Sequence, residues 1–228
     1  MSTHTPPTWD LALRKHWPHA QHPFTLDVAA QCHAPRLILL GESGSGKTQT
    51  MKMVAGVLRP DAGHVRLQGH TLFDHAAGLH TPAHQRRLGW VAQDYALFPH
   101  LSVAQNIGFA LRTGWRNPTA GHTPAAVTDM LARMGLSAVA QHLPHQISGG
   151  QKQRTALARA LMSQPRALLL DEPFAALDPA LRQRLRDDLA ALLAELALPV
   201  LLITHDEHDV AALGALSGEV LRLPPPQR

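Results

Sequence analysis

Leu37-Ile38-Leu39-Leu40-Gly41-Glu42-Ser43-Gly44-Ser45-Gly46-Lys47-Thr48 passes from an apolar run through a glycine-rich turn into a new segment. The run 37–40 predicts a buried strand, and the stretch 47–57 predicts a helix whose N-terminus faces an anion. Glycines here let backbone N–H groups turn inward around a β-phosphate. Lys47 adds a cation for the β and γ oxygens, and Thr48 offers a hydroxyl to Mg²⁺. The set is a P-loop, and we take Gly41, Glu42, Ser43, Gly44, Ser45, Gly46, Lys47, Thr48 and Gln49 as nucleotide-binding. By itself this implies only a nucleoside triphosphate.

A second apolar run, Ala167-Leu168-Leu169-Leu170, ends in Asp171-Glu172. Paired acids also close ordinary strands, but downstream of a P-loop their chemistry has a use. Asp171 is placed to hold Mg²⁺ through water and Glu172 to polarise an attacking water. Between the two lies Ile147-Ser148-Gly149-Gly150-Gln151. Ser148 reads as an N-cap, with Gly149 and Gly150 opening a helix through Gln153, Ala156, Leu157 and Ala160. Free N–H groups and the positive end of the helix dipole then point at an anion. This is a second phosphate site without a P-loop of its own, useful if it completes the pocket of another copy.

That arrangement resembles the ATP-binding-cassette (ABC) family, in which two cassettes pack head to tail around two ATP molecules. The resemblance spans about 24–216. It implies that Gln93 is the Q-loop glutamine, reaching Mg²⁺ and the attacking water, and that His205, after Val200-Leu201-Leu202-Ile203-Thr204, is the switch histidine at the γ-phosphate. It also implies that Ala175-Ala176-Leu177-Asp178 is the D-loop, with Asp178 at the dimer interface. Catalytic roles thus fall on Glu172, His205 and Gln93, metal contacts on Thr48, Gln93 and Asp171, and partner nucleotide contacts on Ser148, Gly149, Gly150 and Gln151. ATP and Mg²⁺ are the implied cofactors. Trp17 is the candidate for the aromatic that stacks on adenine, at an offset from the usual spacing. Ile147, Thr48, Ala175 and Ala92 depart from the usual Leu, Ser, Ser and Phe, and none removes a catalytic group.

The expected fold is α/β: a P-loop NTPase ABC cassette with a RecA-like core, a mostly parallel sheet, an N-terminal antiparallel β portion and an inserted helical subdomain. The turn 59–63 followed by His64-Val65-Arg66-Leu67 predicts a return strand. We expect one ABC ATPase domain over 1–228, its core at about 1–92 and 155–228 and its helical subdomain at about 93–154, with no C-terminal regulatory domain. Leu181, Leu185, Leu189, Leu192 and Leu196 fall at helical spacing, with Asp178 as cap and Pro179 in the first turn.

A formal net charge of +4 comes from scattered Lys and Arg with no basic block, which gives no expectation of nucleic acid. No apolar run is long enough to span a membrane, and the N-terminus lacks a signal peptide's apolar stretch. The expected location is the cytoplasmic face of the inner (plasma) membrane, peripherally. The single cysteine, Cys32, excludes an internal disulfide. His16, His19 and His22 are interrupted by Pro18 and Pro23 and lack acidic or Cys ligands, so they give a poor metal site.

The segment from Arg86 through Gln93 to Val103 resembles the Q-loop region of bacterial importer ATPases. Tyr95, Leu97 and Phe98 beside Pro99 read either as core or as a groove for a helix of an integral membrane permease. The resemblance implies a homodimer, that permease and, indirectly, a periplasmic or extracellular solute-binding protein. The loop 72–82, the pair Arg86-Arg87 and Asp94 are most similar to the molybdate-transport ATPase. Sulfate, iron(III) or polyamine import is the alternative, and a soluble non-transport ABC ATPase is a further one. A P-loop kinase leaves 147–151 and His205 without a purpose.

Overall fold

The computed structural model describes residues 5–18, 24–111, 123–175, 179–214 and 218–225, with backbone alone at 179–181. The first part forms strands β1 (Trp9–Trp17), β2 (Phe24–Cys32) and β3 (Arg36–Leu40), helix α1 (Lys47–Ala55), and strands β4 (Ala62–Leu67), β5 (His70–Asp74) and β6 (Leu79–His80). Short helix α2 (Ala83–Arg86) and strand β7 (Leu88–Val91) follow. Helices α3 (Val103–Gly108), α4 (Ala125–Arg133) and α5 (Gly149–Met162) come next. The chain then alternates through β8 (Ala167–Asp171), α6 (Pro179–Leu196), β9 (Val200–Thr204), α7 (Glu207–Gly214) and β10 (Gly218–Arg222).

Two five-stranded sheets result, ordered β2-β1-β4-β5-β6 and β10-β3-β9-β8-β7. The first is antiparallel and the second parallel throughout. Sequence pattern explains the difference. On β2, buried Leu26, Val28 and Cys32 alternate with exposed Thr25, Asp27, Ala29 and Gln31, as for a sheet with one wet face. Strands β3, β8 and β9 are buried at every position because helices or the other sheet cover both faces.

The period of two sorts those strands between two cores. Leu37, Leu39, Leu169, Leu201 and Ile203 join Met51, Met53 and Val54 of α1 and the inner residues Leu11, Leu13, Leu26 and Val65 of the antiparallel sheet. Ile38, Leu168, Leu170, Val200 and Leu202 face the other way, onto Ile107, Val127, Leu157, Leu185 and Leu189 from α3, α4, α5 and α6. The P-loop helix is therefore clamped between sheets, while α5 rests on the opposite layer.

Helix α1 ends at Ala55, two residues before the expected 57, because Gly56 adopts φ +79° and turns its N–H back to the Met53 carbonyl. Arg86 completes this end. It is fully buried, and its Nη1 donates to the Met53 and Val54 carbonyls at 2.9 and 2.7 Å while Nε donates to Thr81 at 2.8 Å. Burial pushes its pKa down to about 10, which leaves a cation on the negative end of the α1 dipole. A Cβ on residue 56 would lie 2.5 Å from Arg86 Nε, so this cation requires the glycine.

Arg86→Met removes the charge and three donors while keeping an apolar stem. We expect a loss of about 3 kcal/mol in urea unfolding, from carbonyls left without their charged partner. A change below about 0.5 kcal/mol would show that the cap does not hold α1.

Candidate active site

Four of the expected site segments leave the carboxyl ends of neighbouring parallel strands. The P-loop follows β3, His205 follows β9, Asp171 and Glu172 end β8, and Gln93 follows β7. The Gly41 N–H donates to the Thr204 carbonyl at 3.3 Å, which binds the loop to the strand bearing the histidine.

Within the loop, Gly44 and Gly46 have φ of +86° and +93°. Gly46 caps α1 with no side-chain acceptor, so the first-turn N–H groups stay available to an anion. A Cβ at residue 46 would lie 2.4 Å from Leu26 Cδ1, so the antiparallel sheet presses directly on this turn. Ser45 Oγ is buried without a hydrogen-bond partner. Lys47 is buried, and its Nζ donates to the Gly41 and Glu42 carbonyls at 2.7 and 2.8 Å and stands 3.7 Å from Glu172 Oε1. Donor-rich backbone, a buried ammonium and an orphaned hydroxyl together fit a phosphate chain. Thr48 is exposed and Gln49 half-buried on the first turn.

Glu172 holds φ +43°, a strained value for a side chain of its kind, with its N–H bonded to the Ile203 carbonyl at 3.0 Å. This aims the carboxylate between Lys47 and His205, whose Nδ1 lies 3.1 Å from Glu172 Oε2. Asp171 is buried, and its pKa is pushed up to about 6, first by burial and then by the neighbouring Glu172 charge. Lys52 and Lys47 pull it down and Asp94 pushes it up. The carboxylates of Asp171, Glu172 and Asp94, which repel one another here, and the Thr48 hydroxyl on the first turn of α1 are hard oxygen donors of the kind that a divalent cation such as Mg²⁺ takes. Gln93, Asp94 and Asp171 line one open depression.

The 147–151 segment forms the expected cap. Ser148 Oγ accepts from the Gln151 N–H at 3.3 Å, and Gln151 Oε1 accepts from the Ser148 N–H at 2.8 Å. Gly149 is half-buried and Gly150 buried, with Leu185 of α6 packed where a Cβ would go. Among the described residues, no hydrogen bond or ion pair joins 147–151 to 41–48.

Other expectations fare differently. Asp178 lies outside the described residues, as do His19 and His22, while His16 pairs with Thr25 Oγ1 at 2.8 Å. Trp17 stacks on Phe24 at 5.6 Å, at the end of the hairpin whose Leu26 touches Gly46. Tyr95 does not line a groove. It is buried in the helical-side core with its hydroxyl toward the Pro173 carbonyl at 3.4 Å, because φ +64° turns its side chain inward. Leu97 is packed against that core, and Phe98 packs against Phe109 at a 40° tilt with ring centroids 4.3 Å apart. The sequence reading missed two braces of this loop. Arg159 of α5 donates to the Tyr95 and Ala96 carbonyls at 3.0 and 2.8 Å. Asn106, fully buried, bonds both the N–H and the carbonyl of Phe98. An Asn set among Val103, Ala104, Ile107 and Phe109 was the available signal.

Residues 29–175 match the family model described as ABC transporter. The chain is 47% identical over 198 residues to the Fe(3+) ions import ATP-binding protein FbpC of Pseudomonas fluorescens, covering 84% of this chain and 54% of that protein. It is 46% identical over 172 residues to Fe(3+) ions import ATP-binding protein FbpC 3 of Rhodococcus jostii, covering 75% and 47%. The chain thus spans about half the length of these curated relatives. It also superposes, with a TM-score of 0.71 and 23% identity over 96% of this chain and 98% of the other, on a post-hydrolysis dimeric ATP-binding cassette bound to ADP and Pi. The fold class expected from sequence is borne out, and the family match agrees with the expected ATPase class. The molybdate likeness is overturned, since these relatives are named for Fe(3+) import. The features that carried it serve the scaffold: 72–80 belongs to the β5–β6 ladder and Arg86 caps α1.

Asp171 binds protons more tightly folded than unfolded, so its ionisation removes stability as pH rises from about 4 through about 6. Asp171→Asn stays neutral. It should stabilise the metal-free protein by about 2 kcal/mol at pH 8 and by nearly nothing at pH 4, read by urea unfolding. Equal effects at both pH values would separate the change from ionisation.

Proposed function

The chain belongs to the ABC transporter family, and from that premise we propose that it is the ATP-hydrolysing cassette of an importer whose cargo is iron(III). The observation that carries the ATPase reading is the Glu172 carboxylate set between Lys47 and His205 at the mouth of the glycine loop. The names of the relatives favour iron(III) as cargo, one of the alternatives left open by the sequence.

In this reading the 41–49 backbone and Lys47 hold the phosphates, and Trp17 offers its face to adenine on the same side of the molecule. Thr48, Gln93 and Asp171 hold Mg²⁺, which when bound offsets the charge of the β and γ oxygens. Glu172 takes up hydrogen-bonded water and polarises it, while His205 fixes the carboxylate and reaches toward the γ-phosphate. Ser148, Gly149, Gly150 and Gln151 meet the nucleotide of a second copy in a head-to-tail homodimer. The absence, among the described residues, of a hydrogen bond or ion pair between them and 41–48 of the same chain supports this, and Asp178 is assigned to that interface. Residues 93–154 form the helical subdomain between the two parts of the core.

Leu97 and Phe98, backed by Tyr95, are the permease-docking candidates, with a solute-binding protein engaged only through that permease. The cassette then sits peripherally on the cytoplasmic side. Among the described residues, no helix is long and apolar enough to cross a membrane.

Uptake of radiolabelled iron(III) by a deletion strain tests the proposal. Restoring the chain should restore iron uptake and leave molybdate uptake unchanged. Glu172→Gln should restore less than about one hundredth of it while keeping ATP affinity, since the carboxylate acts in turnover rather than in binding. Molybdate uptake without iron uptake, or full transport by Glu172→Gln, would overturn the reading.

A further inference from the structure

The turn that carries His205 is held from behind by one buried arginine on another element. Arg186 of α6 donates from Nε to Asp209 Oδ1 at 2.6 Å and from Nη2 to Asp206 Oδ2 at 2.5 Å. Asp209 is itself buried, and its other oxygen accepts from Thr204 Oγ1 at 2.5 Å. Thr204 Oγ1 in turn accepts the Asp206 N–H at 3.1 Å. Both chain neighbours of His205 are thus tied, directly or through Asp209, to one guanidinium.

The same guanidinium carbon lies 5.8 Å from the ring centroid of Phe174, two residues beyond Glu172, and that ring is buried. Arg186 therefore touches the flanks of both partners in the 3.1 Å contact between His205 Nδ1 and Glu172 Oε2. The His205 side chain is itself half exposed. Other charges at the cluster are Arg182, 3.8 Å from Asp206, and His208, whose Nδ1 lies 2.9 Å from Asp206 Oδ1. Arg186 bridges the two acids, one from Nε and the other from Nη2.

We propose that Arg186 is a positioning residue that sets the His205–Glu172 geometry, so that the placement of α6 governs turnover without governing nucleotide affinity. The inference rests on the ATPase reading above. A charged bidentate fork suits this task, because its plane fixes two carboxylates at once, which a single ammonium does not. Displacing a catalytic pair by about 1 Å costs on the order of 100-fold in rate.

The test is a double-mutant cycle on the full chain, with ATPase rate and affinity for a fluorescent ATP analogue measured together. Arg186→Leu should lower kcat about 30-fold with less than about a 3-fold change in analogue Kd. In a His205→Ala background the same substitution should lower kcat by less than about 2-fold, since its route of action is already gone. Arg186→Lys should recover part of the rate. If Arg186→Leu does not fold, Asp206→Asn, on the more exposed arm, enters the same cycle, with a fall of about 5-fold expected only when His205 is present. Equal falls in both backgrounds, or loss of nucleotide affinity in step with rate, would make Arg186 a structural residue and overturn the inference. An inactive parent chain would instead overturn the ATPase reading on which it rests.

Discussion

Lys47 keeps its ammonium out of water between the Gly41 and Glu42 carbonyls, with the Glu172 carboxylate 3.7 Å away. Removing a cation from solvent is costly, and two neutral carbonyls offset only part of that cost, so the site is built to receive more negative charge. The parallel sheet makes the arrangement possible. Its order places β3, β9, β8 and β7 side by side, so everything that leaves their carboxyl ends converges on one edge. A change of register in that sheet would separate Lys47, Asp171, Glu172, His205 and Gln93 together.

Around that edge the polar groups are graded by burial. Asp171 is buried and resists ionisation. Glu172 is strained into position at a half-buried level, and His205 and Gln93 reach outward. The helical layer joins the same edge through Pro173, whose carbonyl accepts from both Gln153 of α5 and Tyr95 of the loop after β7. Any shift of α5 is felt one residue from Glu172.

The site was largely legible in the sequence because its chemistry is carried by contiguous motifs, each fixed by a local strand-to-turn geometry. The run 37–48, the pair Asp171-Glu172 and the capping box at Ser148 needed no long-range information. Arg86 and Arg186 were not legible as scaffolding. Their partners lie 32 and 33 residues away for Arg86 and 20 and 23 for Arg186, and nothing in a sequence period brings them together. Tyr95 was left open between core and groove because a loop gives no periodicity, and its burial in the helical-side core decides it. Cargo was the least legible property, since the likeness to the molybdate-transport ATPase was carried by 72–82, Arg86-Arg87 and Asp94, of which Arg86 caps a helix and Arg87 donates to the Gln164 carbonyl.

The central claim is that one copy of this chain holds two halves of different ATP sites. It is tested most directly by the ATPase rate per chain as a function of chain concentration, with association state followed by analytical ultracentrifugation under the same conditions. A composite site predicts that the rate per chain rises with concentration in step with the dimer fraction and reaches a plateau when dimers dominate. A rate per chain that stays constant down to concentrations where only monomers sediment would contradict it, because a monomer would then carry a complete site.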